Sequence, residues 1–212
     1  TRPDLASLIS NIEEFNADGN YLFSIMRGFR LEKLLFRLLD EKEFLSEFGI
    51  RSLSKYHEEH PFVFKHNGHH QIQYESGESR SNMFGGNSNW RGPIWMPLNY
   101  MIIQSLRKYY LFYGKEYVYE FPTGSGVKLN LNEIANEISK RLIKLFQPNK
   151  NGRFQYHSED KHKLFTKEEQ FKNQHFFYEF FDGDSGKGLG ASHQTGWTAL
   201  VANLIMELEQ NS

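Results

Sequence analysis

The sequence contains no cysteine, which excludes disulfides, thiol nucleophiles and cysteine-based zinc sites. No apolar run approaches the roughly 20 residues of a membrane span, so we predict no membrane partner. The net charge is only −1, and no overall field favours nucleic acid. The chain begins at Thr1 without an initiator methionine or a signal peptide, which favours a segment of a longer protein.

Aromatic residues are abundant instead. Phenylalanine, tyrosine and tryptophan make up 16% of the chain, with 19 Phe and 11 Tyr. Such residues fill hydrophobic cores, and their flat rings also stack on the apolar faces of sugars. Composition alone favours an aromatic core over a sugar-lined cleft.

Apolar residues recur at helical spacing in five segments. They predict helices near residues 4–16, 29–40, 94–113, 131–146 and 193–209. The third helix is predicted to start at Pro93 and to end at Gly114. The fourth opens with Asn130 and has Glu133 three residues later, which is the pattern of a capping box.

About 45 residues between the second and third predicted helices lack helical periodicity. Within them, residues 62–66 and 72–74 predict a hairpin that turns at Asn67-Gly68, because this pair suits a type I′ turn. Helices joined by such long loops usually carry function in the loops.

The segment 178–190 contains a glycine-rich loop, residues 183–190, which has four glycines in eight residues, and a glutamate, Glu179, precedes this loop. A calcium loop is excluded because Lys187 and His193 stand where Gly and Glu are needed. A phosphate-binding loop is excluded because Lys187 is followed by Gly188 rather than Ser or Thr. Acid–base chemistry at Glu179 and a purely structural turn both stay open.

A second loop, residues 85–95, is rich in glycine and amides and leads directly into a predicted helix. Its candidate sugar contacts are Asn89, Trp90, Arg91 and Trp95, because indole rings stack on sugars and Arg and Asn bond hydroxyls. The alternative is a cation–π contact that only fixes the start of the helix.

Five histidines cluster in the non-helical region. They are His57, His60, His66, His69 and His70. Because part of the cluster brackets the predicted turn and no helical His pair with Glu is present, we favour solvated histidines and predict no metal site.

Three segments, in order along the chain, resemble glycoside hydrolase family 63. They are residues 48–54, residues 89–100 and residues 178–197. The resemblance implies an all-α (α/α)6 toroid of twelve helices and an inverting exo-α-glycosidase that acts on a carbohydrate substrate without a cofactor. It implies that residues 1–212 form one partial catalytic domain, its C-terminal portion.

The same resemblance assigns roles to residues. Glu179 matches the family's general base. The implied substrate-binding residues are Asn89, Trp90, Arg91, Trp95, Tyr178, His193 and Trp197. The general acid, an aspartate in a Trp-rich motif, has no counterpart among Asp4, Asp18, Asp40 and Asp160. We therefore expect the isolated chain to be inactive, and expect it to bind the missing N-terminal half of the barrel or to self-associate.

Two other classes of function stay open on the sequence. The chain could be a non-catalytic helical module that binds glycans or partners, if Glu179 faces bulk solvent rather than a cleft. It could also belong to another α-toroid enzyme, such as a lyase or epimerase, in which a Tyr, His or Lys acts as the base.

Overall fold

The computed structural model describes Pro3 and residues 15–26, 28–65, 69–81, 89–171 and 174–210. The helices in these ranges are α1 (Gly28–Leu38), α2 (Met96–Tyr113), α3 (Leu131–Lys144), α4 (Glu159–Lys167), α5 (Thr195–Thr198) and α6 (Leu200–Gln210). Antiparallel pairs join β1 (Leu45–Ser46) to β2 (Gly49–Ile50), β3 (Phe62–Lys65) to β4 (His69–Ile72), β5 (Val118–Glu120) to β6 (Lys128–Asn130), and β7 (Phe180–Phe181) to β8 (Gly188–Leu189). Within this part of the chain, no helix combines the length and apolarity needed to cross a membrane.

The hydrophobic core lies between the longer helices. Helix α2 packs against α3, and α6 packs against both. Helix α3 supplies the largest share of fully buried side chains: Leu131, Ile134, Ala135, Ile138, Ser139 and Leu142. Their spacing follows the helical period, so one face of α3 is buried along its length. Burial of each large aliphatic side chain stabilises the fold by about 1.5–3 kcal/mol.

The predicted mainly helical architecture agrees with the structure. The described residues contain four two-stranded sheets, whereas only one hairpin was expected. The capping box is present: the Asn130 side chain accepts from the backbone of Glu133, whose side chain accepts from the Asn130 backbone. Helix α2 ends at Gly114 as predicted but begins at Met96 rather than near residue 94. The reason is that Ile94 is held in extended bridges to Arg51 and Phe181.

The last predicted helix also starts later than expected. Its first turn begins at Thr195, because His193 forms a parallel bridge with Phe177. Helix α4 was missed, since its sequence has no apolar stripe and begins only with the cap residue Ser158. The helix predicted near residues 4–16 lies outside the described residues except at its end, where Phe15 bridges Tyr21 and is not helical.

The predicted hairpin is confirmed, although its second strand ends at Ile72 and does not reach Tyr74. β3 pairs with β4 in a register that sets Phe62 opposite Ile72 and Lys65 opposite His69. The predicted turn residues Asn67 and Gly68 lie outside the described residues. The last pair of this register, Lys65 with His69, has three residues between its members, whereas a two-residue type I′ turn at Asn67-Gly68 would pair residue 66 with residue 69.

An apolar groove of about 530 Å³ runs between α1 and α2. Leu31, Leu34 and Leu38 line one wall, and Met101 and Ile102 line the other. Leu34 and Met101 are largely exposed. Apolar surface of this kind marks a site of association, and the predicted binding of a missing half-barrel or a second copy stays a prediction.

A buried histidine makes the stability of this fold depend on pH. His157 is 4% exposed, packs against the rings of Phe154, Phe165 and Phe176, and finds no hydrogen-bond partner for Nδ1 among the described residues. Burial lowers its pKa to about 4, and the nearby charges of His162 and Lys161 act in the same direction. The imidazole is therefore neutral in the folded protein at neutral pH.

We expect the free energy of unfolding to fall as the pH drops from about 6.5 to about 4, because only the unfolded chain then protonates His157. The slope from this group approaches about 1.4 kcal/mol per pH unit. His157→Phe keeps a ring in the cluster and removes the proton uptake. Urea unfolding at neutral pH and at about pH 5 should show the variant losing about 1–2 kcal/mol less than wild type. Equal losses would show that folding does not lower the pKa of His157.

Candidate functional site

The three segments that resemble family 63 lie side by side. Ile94 exchanges two backbone hydrogen bonds with Phe181, at 2.8 and 3.0 Å, and also bridges to Arg51. The backbone of Ser52 donates to the Pro93 carbonyl at 3.1 Å. Residues more than 40 positions apart are thus joined by main-chain bonds, and side chains from all three segments can contribute to one surface.

Two glycines allow the loops to approach this closely. A Cβ on Gly92, whose φ is +154°, would lie 2.3 Å from the backbone oxygen of Glu75. A Cβ on Gly183 would lie 2.6 Å from the backbone oxygen of Gly92. Since both obstacles are backbone atoms, no side-chain rotation can relieve the contacts. The glycines are required because the loops pack backbone against backbone.

An aromatic platform is built from Trp90, Trp95, Phe180 and Trp197. The rings of Trp90 and Trp95 stack 3.8 Å apart and 5° from parallel. Phe180 also stacks on Trp95, at 4.8 Å, and Trp197 lies 5.6 Å from Trp95. Trp95 is 1% exposed, whereas Trp90 is 47% exposed. Trp90 is therefore the most exposed tryptophan of the platform and can offer its surface to a ligand.

Glu179 stands beside the platform, one residue before Phe180, and is half-buried. Its Oε2 accepts a hydrogen bond from the backbone of Ala191 at 3.2 Å, and its own backbone donates to the Ala191 carbonyl at 2.8 Å. A Cβ on Gly190 would lie 2.6 Å from Oε2. The glycine thus gives the carboxylate its space, and the Ala191 amide gives it a defined orientation.

The match to known proteins decides the family. A family model described as "Glycosyl hydrolase family 63 C-terminal domain" matches residues 24–207. The chain belongs to glycosyl hydrolase family 63. The predicted resemblance is confirmed by this match.

Named relatives of the family are similar to the chain over most of its length. The mannosyl-oligosaccharide glucosidase of Saccharomyces cerevisiae is 28% identical over 83% of this chain, and "Alpha-glucosidase 2" of Arabidopsis thaliana is 24% identical over 76%. An uncharacterized protein of Saccharomyces cerevisiae is 49% identical over 94%. The matched regions cover 15%, 14% and 18% of these relatives, so the chain spans less than a fifth of their length.

Several predicted substrate contacts of this family 63 chain are buried. Asn89 donates to the carbonyls of Glu75 and Gly77, at 2.8 and 2.7 Å. Arg91 is 7% exposed, and its guanidinium donates to Asn89, Glu75, Ser79 and Ser81. This geometry differs from the predicted grip of Arg91 on a sugar, because every guanidinium nitrogen is already bonded within the protein.

Tyr178 is also buried, and the desolvation that accompanies burial raises the pKa of its hydroxyl. A Cβ on Gly188 would lie 2.2 Å from the Tyr178 ring, and the Thr198 hydroxyl donates to the Tyr178 carbonyl at 2.5 Å. These contacts fix the glycine-rich loop against α5. They differ from the predicted contact of Tyr178 with substrate.

His193 and Trp197 remain accessible. His193 is exposed and stacks its ring on Phe176 at 5.2 Å. Trp197 is half-buried and lies edge-on to Trp90 at 6.5 Å. Among the predicted sugar contacts, Trp90, His193 and Trp197 are thus the side chains that a ligand can reach without rearrangement.

Sequence reasoning missed the ion cluster beneath the glycine-rich loop. Asp184 pairs with Arg51 and Lys55, at 3.1 and 3.0 Å, and accepts from the Tyr74 hydroxyl. Burial opposes ionisation of Asp184, but the hydrogen bond from Lys55 and the charges of Arg51 and Lys55 outweigh it and lower its pKa. Burial raises the pKa of Tyr74, which stays a neutral donor. The cluster holds the loop on the segment that contains residue 51.

Proposed function

We propose that this chain supplies the general base and part of the sugar-binding wall of an inverting α-glycosidase built on an (α/α)6 toroid. The family match and the glucosidase names of the relatives support glycosidase chemistry. The observation that carries the assignment is the half-buried carboxylate of Glu179, which the Ala191 amide holds near the ring of Phe180, a ring that stacks on Trp95.

In an inverting step, one carboxylic acid protonates the leaving oxygen while one carboxylate takes a proton from water on the opposite face of the sugar. The two groups stand roughly 6.5–9.5 Å apart to leave room for that water. We assign the water-activating role to Glu179. We assign the acid to an aspartate outside this sequence, because the chain holds no aspartate in a Trp-rich motif.

We assign sugar stacking to Trp90. Its ring is backed by Trp95, which is itself backed by Phe180, so the exposed indole is rigid before ligand arrives. A rigid aromatic face binds the apolar face of a pyranose at little entropic cost. His193 and Trp197 are assigned to the rim of the same subsite.

A non-catalytic glycan-binding module is the second candidate, and the half-exposed Trp90 favours it, since stacking needs no carboxylate. The two candidates differ in the role of Glu179. A binding module keeps full function when Glu179 is replaced by Gln, whereas a glycosidase loses turnover.

Trp90→Ala tests the sugar-binding wall. We expect it to raise KM for an α-glucoside about tenfold, since loss of one stacking contact costs about 1.4 kcal/mol, and to lower kcat less. The measurement is steady-state hydrolysis by the full-length protein. The matched control is Phe36→Ala, which removes an exposed ring from α1. Equal KM values in wild type and Trp90→Ala would remove Trp90 from the subsite.

A further inference from the structure

Glu75 makes direct bonds to both residues that flank Trp90. Its backbone donates to the Arg91 carbonyl at 2.8 Å, and its own carbonyl accepts from Asn89 Nδ2 at 2.8 Å. Its carboxylate accepts from Arg91 Nη2 at 3.0 Å. The two residues next to Trp90 in the sequence, Asn89 and Arg91, are therefore both held by Glu75.

The carboxylate of Glu75 and the guanidinium of Arg91 form a largely buried ion pair. Their side chains are 15% and 8% exposed. Such a pair does not by itself favour the folded state strongly, but it defines one geometry, because a buried charge without its partner is costly. The short bond from Arg91 to Ser79, at 2.5 Å, adds to this restraint.

Trp95 is also connected to Glu75, through Asn89. Its indole nitrogen donates to the Asn89 carbonyl at 2.9 Å, and the Asn89 side-chain oxygen accepts from Arg91. Both rings of the Trp90–Trp95 stack are thus positioned relative to Asn89, which Glu75 holds. The stacking distance of 3.8 Å follows from these shared restraints as well as from the rings themselves.

The residue after Glu75 contacts the other half of the site. The Ser76 carbonyl accepts from the Gly183 backbone at 2.8 Å, and its hydroxyl donates to Asp182 Oδ2 at 3.0 Å. Residues 75 and 76 therefore join the tryptophan loop to the glycine-rich loop that follows Glu179.

We propose that Glu75 is a positioning residue, which holds the Trp90–Trp95 stack in its parallel arrangement through Arg91. The role of that stack in sugar binding rests on the proposed function. The geometry of the stack does not, so the two can be tested separately.

The chain offers a selective probe, because its three tryptophans, at positions 90, 95 and 197, all lie in this cluster. Two stacked indoles whose transition dipoles are rotated relative to each other give an exciton pair of bands in the far-ultraviolet circular dichroism spectrum, and Trp90→Phe identifies that signal by difference. We expect Glu75→Gln to lose most of the exciton signal with helix content unchanged. Glu137→Gln, which removes an exposed ion pair with Lys140, should retain it.

Ser79→Ala serves as a second variant in case Glu75→Gln does not fold. It removes only one hydrogen bond to Arg91 and is therefore a milder change. A reduced exciton signal in either folded variant supports the proposal. An unchanged signal in folded Glu75→Gln, or in Ser79→Ala if Glu75→Gln does not fold, overturns it. Titration with methyl α-glucoside, followed by tryptophan fluorescence, is read separately. Absence of binding by the full-length wild-type protein counts against the proposed function and leaves the result on Glu75 intact.

Discussion

Glu179→Gln is expected to lower kcat by about 10²–10⁴-fold in the full-length protein while KM stays nearly constant. Glutamine has nearly the same size, and its amide oxygen can still accept the hydrogen bond that the Ala191 backbone donates to Glu179. It cannot take a proton from water. The proton transfer that is lost occurs only in the transition state, so kcat should fall while substrate binding is retained.

Steady-state hydrolysis of an α-glucoside by purified wild type and variant measures this effect. The matched control is Glu47→Gln, which removes an exposed carboxylate paired with Lys144 and should leave kcat and KM unchanged. If Glu179→Gln keeps a near-normal kcat, Glu179 is not the base. The loop that follows it is then a structural turn.

Gly92→Ala is expected to cost about 2–5 kcal/mol of stability. Two causes combine. The φ of +154° is unfavourable for alanine, and the added Cβ would stand 2.3 Å from a backbone oxygen of Glu75. The loops must separate to admit it, so Trp90 and the glycine-rich loop should lose their register as well.

Urea unfolding of the purified chain tests this expectation, with Gly196→Ala as the control. Gly196 lies in α5, has no atom within 4 Å of a built Cβ, and does not have a positive φ. Alanine there should leave stability unchanged or raise it by up to about 1 kcal/mol, because alanine favours helix. Equal stability of Gly92→Ala and wild type would contradict the close backbone packing of the loops.

The sequence predicted those parts of the fold that depend on local chemistry. Asn130 and Glu133 marked the start of α3, because a capping box involves residues only three apart. Gly114 marked the end of α2 for a similarly local reason. The helix start predicted at Pro93 was wrong. The bridges of Ile94 to distant residues keep this stretch extended, and the helix begins later, at Met96.

The candidate site was predictable as a set of loops but not as a set of contacts. Glu179 and Trp90 could be named because their residue types and neighbours suggest chemistry. Arg91 was assigned to substrate, yet its partner Glu75 lies 16 residues earlier in a stretch without a recognisable pattern. Long-range pairing of this kind leaves no periodic signal in the chain, so a buried arginine and an exposed one look alike in sequence.

The anomeric configuration of the first product tests the central claim most directly. The full-length protein hydrolyses an α-glucoside while proton nuclear magnetic resonance follows the sugar before it mutarotates. If Glu179 activates water in an inverting step, the β-anomer forms first, and Glu179→Gln forms product at least about 10²-fold more slowly under the same conditions. An α-anomer formed first would contradict the account, because it requires a retaining reaction through a covalent intermediate.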